Sequence, residues 1–201
     1  MIEHLQLDGI EVSTYNVAKK GNWCSGDSYF TYRSKDYFLC AMADGLGSGE
    51  KANTASVAAI NFIKENHHLD VKTLMSKCNE LMWQKRGAVL TIIKLNMDTQ
   101  EIAYSNIGNI SCVFYKPSGE LYRPVPSRGY LSGRKQTIRV QNLKFENGMT
   151  FILHSDGLNF DPYYHSLFSR MSSPKYLLQE LVDIMETSDD DTTIMVGRIA
   201  S

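Results

Sequence analysis

Hydrophobic and polar positions change their spacing along the chain, and each change predicts a different secondary structure. Residues 10–18 and 28–33 have the composition of strands, and a glycine-containing turn lies between them. Residues 37–43 form a continuous apolar run, which is typical of a strand buried on both faces. We therefore expect the chain to open with strands.

Helical spacing follows these strands. Apolar residues recur every three to four positions from Glu50 to Asn66, which predicts a helix. A second helix is predicted over residues 69–85, where Asp70 is placed to cap the first turn. The apolar face of the first comprises Ala52, Ala55, Ala59, Phe62 and Ile63. That of the second comprises Leu74, Met75, Cys78, Leu81 and Met82.

A period of two then returns and predicts successive strands separated by turns. They are residues 88–96, 101–108, 110–125, 137–145 and 149–155. A late helix from Pro174 to Glu186 and a final strand over residues 192–199 close the pattern. Clustered strands with few helices favour an α+β fold of two antiparallel β-sheets packed as a sandwich with helices on the outer faces.

Composition narrows the function classes. The chain has 201 residues, a length that favours a single domain spanning residues 1–201. Its formal net charge of −1 argues against nucleic acid or anionic membrane as partners. The four cysteines form no CxxC pair, so we expect reduced thiols rather than a zinc site or disulfides. The first residues do not resemble a signal peptide, and we expect a soluble, cytoplasmic protein.

Acidic residues stand at the ends of several predicted strands. The stretches "YFLCAMADGLGSG" and "MTFILHSDGLN" both finish an apolar run with Asp-Gly-Leu, at Asp44 and Asp156. Asp27 precedes a strand, and the triplet Asp189–Asp191 precedes the last one. Carboxylates are the ligands that hard divalent cations prefer, and a following glycine such as Gly45 lets its carbonyl approach a cation. Each Asp-Gly also suits a simple turn, and the triplet suits a solvated one.

Other chemistries have weaker support. The stretch "DGLGSGEKAN" fits neither the P-loop nor the dinucleotide-binding pattern, so a nucleotide site there is a minor alternative. His154 lies two residues before Asp156 and either approaches the acids or is an ordinary strand histidine. There is no G-x-S-x-G sequence, and the serines near the acids have no evident base partner.

Four short motifs resemble those of one known family in order and spacing. "GDSYF", "ADGLGSG", "HSDGLN" and "DDTT" are similar to the motifs of PPM-type metal-dependent serine/threonine protein phosphatases, particularly bacterial sporulation and stress-response members. The resemblance implies two Mn²⁺ or Mg²⁺ ions. It implies that Asp44 bridges the ions, that Gly45 binds through its carbonyl, and that Asp156 and Asp190 hold the other ion. Asp27 would act on a metal directly or through water.

The resemblance also implies a function, although the sequence departs from the family pattern at two points. The expected activity is hydrolysis of phosphoserine and phosphothreonine in stressosome proteins, which resets general-stress sigma-factor signalling; Asp44 and Asp156 are the expected catalytic residues. No equivalent is evident for the N-terminal phosphate-binding arginine or for the general-acid histidine of eukaryotic members. Lys19, Lys20 and Arg33 are candidate substitutes for the arginine. The alternatives are a catalytically inactive docking module of the same fold and a nucleotide-binding enzyme.

Overall fold

Two antiparallel sheets form the centre of the computed structural model, which describes residues 2–168, 173–186 and 189–200. Elements are numbered in chain order. The six-stranded sheet comprises, from edge to edge, β1 (Ile2–Leu7), β2 (Ile10–Val17), β11 (Thr192–Ile199), β10 (Thr150–His154), β7 (Ser111–Tyr115) and β8 (Leu121–Tyr122). The five-stranded sheet comprises β3 (Asp27–Arg33), β4 (Tyr37–Gly45), β5 (Ala88–Asn96), β6 (Glu101–Ile107) and β9 (Gln141–Lys144).

The two sheets pack face to face because their central strands carry apolar side chains on both faces. In β4, Phe38, Cys40 and Met42 enter the core between the sheets, where they meet residues of β10 and β11 such as Phe151 and Met195. The intervening residues of β4 lie in a second core beneath two helices. This double burial explains why β4 appears in the sequence as an unbroken apolar run.

Helices cover the outer faces of both sheets. The helices α1 (Glu50–Asn66) and α2 (Val71–Leu81) pack on the five-stranded sheet. The helices α3 (Tyr164–Phe168) and α4 (Pro174–Ile184) pack on the six-stranded sheet. The predicted fold class, two antiparallel sheets sandwiched between helices, is confirmed.

Local predictions are confirmed for most elements. Helix α1 and strand β5 have the predicted boundaries, and the side chain of Asp70 accepts a hydrogen bond from the Thr73 amide at 3.0 Å as the cap of α2. The placement of Leu81 on the buried face of α2 is wrong: it lies in the last turn and is 38% exposed.

Other elements were shortened or missed. Predicted strand 110–125 divides into β7 and β8, and 137–145 contracts to β9. Strand β1 and the short helix α3 were not predicted, since each contributes mostly partly buried side chains and lacks a clear period. All four cysteines are free, as expected. No helix in the described part of the chain is long and apolar enough to cross a membrane.

Candidate metal centre and active site

The strand register places two carboxylates directly opposite each other. In the antiparallel pair of β3 and β4, Asp27 is the partner of Asp44, and Tyr29 is the partner of Met42 two residues further in. Met42 faces the space between the sheets, so both aspartates face it too, at its rim. Directly opposed residues in such a pair have Cβ atoms about 4.5–5.5 Å apart, which makes two like charges repel.

The other sheet brings two further carboxylates to the same end of the sandwich. Strand β10 ends just before Asp156, and the antiparallel strand β11 begins just after Asp190. Ser155 joins the two strand ends: its amide donates to the Thr193 carbonyl at 3.0 Å, and its hydroxyl accepts from the Thr193 amide at 2.9 Å. The side-chain amide of Asn109 donates to Asp156 at 2.8 Å.

Asp191, beside these acids, forms hydrogen bonds to the segments that follow β2 and precede β3, and so links the two sheets. One carboxylate oxygen accepts from the Lys19 amide at 2.8 Å, and the other accepts from the Gly26 amide at 2.9 Å. The residue is 4% exposed. Both of its oxygens therefore accept hydrogen bonds from the backbone. Asp190 is exposed, and one of its oxygens accepts from the Asp191 amide at 2.9 Å; both residues line the cleft. The greater exposure of Asp190 favours it over Asp191 as the metal ligand, a role that stays a prediction.

The acids line an open cleft of about 660 Å³. Its walls include Asp44, Gly45, Asp156 and Asp190, so four of the five predicted site residues meet there. Asp27 is buried and is not part of the cleft wall, but it is the strand partner of Asp44, which is. Among the described residues, no group of three or more His, Cys, Asp or Glu side chains could hold a metal ion by itself. A metal here would need further oxygen ligands, such as the Gly45 carbonyl and water.

Burial raises the pKa of both opposed carboxyls, and at Asp44 repulsion by neighbouring acids adds to the effect. Burial is the largest cause at Asp44, followed by the charges of Asp27, Asp156 and Asp190, and together they raise its pKa to about 8. Burial also raises the pKa of Asp27 to about 6, although the hydroxyls of Ser155 and Thr193 favour its charged form. The charges at this site are therefore poorly compensated by the chain itself.

This arrangement fits divalent cations. No hydrogen bond of good geometry from the described residues reaches either carboxylate oxygen of the buried Asp27. Buried carboxylates without such partners are costly unless cations compensate them. The donors at the cleft are oxygen atoms without histidine or cysteine, a set that suits Mg²⁺ or Mn²⁺ rather than zinc.

The two Asp-Gly-Leu sequences share a packing requirement. A Cβ atom built on Gly45 would lie 1.9 Å from the carbonyl oxygen of Ala52 in helix α1. One built on Gly157 would lie 2.2 Å from the carbonyl oxygen of Asp191. Each glycine thus lets another backbone segment pass directly beside a cleft aspartate. This close approach is a requirement that sequence reasoning did not identify.

We expect the Gly45→Ala substitution to lower both stability and activity. The added methyl group must push α1 away from β4, and such overpacking costs about 1–3 kcal/mol in the free energy of unfolding. Urea titration followed by circular dichroism measures the loss, and phosphate release measures the activity. Asn61→Ala is the control, because it changes an exposed position of the same helix α1. Unchanged stability and activity of Gly45→Ala would contradict the packing argument.

The histidine and the basic residues that the sequence offered as candidates differ in whether they reach the cleft. His154 is a buried strand histidine whose ring stacks on Phe160 with centroids 5.4 Å apart, so that alternative is confirmed. Arg33 donates to the Asp8 carbonyl at 2.8 Å and is engaged at that turn. Lys20 is absent from the described cleft wall, and Lys19 is part of it.

Sequence reasoning missed Arg128 at the cleft. The loop that carries it is held on both sides by backbone hydrogen bonds, from Gly108 to Ser127 at 2.9 Å and from Leu131 to Ala88 at 2.8 Å. The stretch "SRGYLSG" resembles the same family, but no role was assigned to Arg128 because its place at the cleft depends on pairing with distant strands.

Comparison with known proteins agrees with this geometry. The family described as stage II sporulation protein E (SpoIIE) matches residues 34–200. The phosphoserine phosphatase RsbX of Bacillus subtilis (strain 168) is 34% identical over 200 residues, with 100% of each chain covered. A crystal structure of RsbX in complex with magnesium superposes with a TM-score of 0.94 at 34% identity over 100% of both chains.

More distant structures share the fold. A chain from a structural study of the bacterial stressosome has a TM-score of 0.84 at 21% identity, with 95% of this chain and 100% of that one covered. The catalytic domain of the serine/threonine phosphatase PstP, in complex with two manganese ions, has a TM-score of 0.74 at 13% identity, with 96% and 99% covered. At these identities the likeness concerns the fold.

Proposed function

This chain belongs to the SpoIIE family of PPM-type phosphatases, and on that premise we propose that it hydrolyses phosphoserine and phosphothreonine in proteins of the stressosome. The observation that carries the proposal is the cleft, to which separate strand ends bring Asp44, Asp156 and Asp190 above the buried Asp27. Full-length similarity to the phosphoserine phosphatase RsbX supports the substrate class.

The carboxylates provide the binding site for the metal. Asp44, the Gly45 carbonyl, Asp156 and Asp190 would hold two Mg²⁺ or Mn²⁺ ions, with Asp27 acting directly or through water. Ions bound in this way lower the pKa of a bound water and neutralise phosphate oxygens during in-line displacement. Asn109, which donates to Asp156, keeps that carboxylate oriented.

The chain also supplies cations for the substrate. Lys19 and Arg128 line the same cleft as the acids, where they can neutralise the phosphate and orient it. Arg128 would supply the positive charge that the missing N-terminal arginine has in the family pattern, and Lys19 would add a second. Because the cleft is open, a phosphorylated side chain on an exposed protein segment can enter it.

The cellular role follows from the substrate class. Removing phosphate from stressosome proteins in the cytoplasm would return them to the unphosphorylated state and reset signalling to the general-stress sigma factor. The whole of residues 1–201 would act as a single catalytic domain. A catalytically inactive docking module is less favoured, since such a protein gains nothing from opposed buried carboxylates that destabilise it.

We expect the purified protein to release phosphate from phosphorylated stressosome proteins only when Mn²⁺ or Mg²⁺ is present. Malachite-green detection of phosphate and phosphoprotein gels measure the reaction, and EDTA is the control. Equal release in EDTA would contradict the metal-dependent reaction. Release from free p-nitrophenyl phosphate without any release from phosphoserine protein would contradict the substrate class.

A further inference from the structure

A second hollow continues from the cleft and is lined by cations. It has a volume of about 430 Å³ and shares Gly129 and Tyr130 with the cleft wall. Lys85, Arg86 and Arg134 line it, and no acidic residue does so within the described chain. We call this hollow the basic groove, defined by Lys85, Arg86, Gly129, Tyr130, Ser132, Arg134 and Gln136.

One wall of the basic groove is fixed by a buried asparagine. Asn79 in α2 is 7% exposed, and its carbonyl oxygen accepts from the Ser132 amide at 3.1 Å and from the Gln136 side chain at 2.9 Å. Its amide nitrogen donates to the Arg134 carbonyl at 2.8 Å. These hydrogen bonds hold the backbone of the loop that carries Arg134 beside the groove.

The opposite wall adjoins the metal cleft. The Arg86 guanidinium lies directly over Gly47, since a Cβ atom built there would be 2.5 Å from its Nη1 atom. Gly47 itself lines the cleft. A peptide whose phosphorylated residue occupies the cleft would therefore place neighbouring residues in the groove. Tyr130, which is 46% exposed, offers an aromatic surface at the junction.

We propose that the basic groove selects substrates in which acidic residues flank the phosphorylated serine or threonine. The inference rests on the proposed phosphatase function and adds the substrate preference of the same site. Three cations without a described acidic neighbour give a positive potential, which attracts carboxylates and adds specificity more than bulk affinity. A nucleic acid is disfavoured because the adjoining acidic cleft would repel a long polyanion.

The groove is tested with two phosphoserine peptides that differ only in their flanking residues, glutamate in one and glutamine in the other. Their kcat/KM values with Mn²⁺ and their binding in EDTA, followed by fluorescence anisotropy, are compared as acidic-to-neutral ratios. The test protein is Lys85→Ala/Arg134→Ala. The control, Lys35→Ala/Lys72→Ala, removes the same charge from exposed positions away from the groove.

We expect wild-type and control proteins to favour the acidic peptide, and the test protein to lose most of that preference. Each exposed ion pair changes an affinity by about two- to fivefold. The acidic-to-neutral ratio of the test protein should therefore be about fivefold lower than that of the wild type. Raising KCl from about 50 to about 300 mM should reduce the wild-type ratio as well. A wild-type ratio near one, or an unchanged ratio in the test protein, would overturn the proposal.

The design separates the groove from the catalytic proposal. Turnover of p-nitrophenyl phosphate by the wild-type protein with Mn²⁺ tests the chemistry of the cleft alone. Anisotropy in EDTA reports binding without turnover. If neither p-nitrophenyl phosphate nor the phosphoserine peptides were hydrolysed, the proposed phosphatase function would be contradicted. Tighter binding of the acidic peptide in EDTA would still support the groove.

Discussion

The Asp44→Asn protein should lose at least about a thousandfold of the Mn²⁺-dependent phosphatase rate, which corresponds to about 4 kcal/mol in the activation barrier. Asp44 ends β4 at the cleft, opposite Asp27, and is the carboxylate proposed to bridge the ions. Asparagine retains the size of the side chain but removes its charge. Steady-state kinetics on a phosphoserine protein measure the loss, and calorimetric titration with Mn²⁺ measures the weakened metal binding.

The same substitution should not unfold the protein. Burial and the charges of Asp27, Asp156 and Asp190 raise the pKa of Asp44 to about 8, so at neutral pH folding must add a proton that the unfolded state lacks. Asparagine needs no proton, and the substitution should therefore raise the melting temperature in EDTA at neutral pH. Asp36→Asn, in the exposed turn at the far end of β4, is the control and should leave the rate unchanged. Wild-type activity or wild-type Mn²⁺ affinity in Asp44→Asn would contradict the bridging role.

Much of the fold could be predicted because its central strands carry unambiguous patterns. Strands β4 and β5 are buried on both faces, and their residues are therefore almost all apolar, a pattern that can be seen in the sequence. Strand β1 is at the sheet edge with half-buried side chains, so its period is weak. Leu81 fits the helical stripe, but the stripe alone does not show where the sheet beneath α2 ends.

The acidic site was partly predictable for a geometric reason. An aspartate at the end of an apolar strand lies where the chain leaves the core. This is why Asp44 and Asp156 could be expected at a shared cleft, and both line it. The pairing of Asp27 with Asp44 depends on strand register, and no local pattern determines it. Arg128 and Asn79 act through loops closed by residues far apart in sequence, so neither could be found before the fold was known.

The metal-free protein should become less stable as the pH rises from about 4 to about 8, and divalent cations should reverse that loss. The folded-state pKa of Asp44 is raised from 3.8 to about 8, and that of Asp27 from 3.8 to about 6. Between these limits the folded state holds protons that the unfolded state has released. Stability therefore falls with rising pH, by an amount on the order of a few kcal/mol.

Cation binding acts in the opposite direction because the ions displace those protons. Saturating Mg²⁺ should stabilise the protein strongly at pH 8 and weakly at pH 5, and a thousandfold excess over the dissociation constant is worth about 4 kcal/mol. Thermal melts in EDTA and in Mg²⁺ across this pH range measure both effects. Asp44→Asn is the matched control and should flatten the EDTA curve, because the more strongly shifted carboxyl is gone. If stability in EDTA rises towards pH 8, or Mg²⁺ stabilises equally at both pH values, then the opposed carboxylates are not the source of the cation requirement.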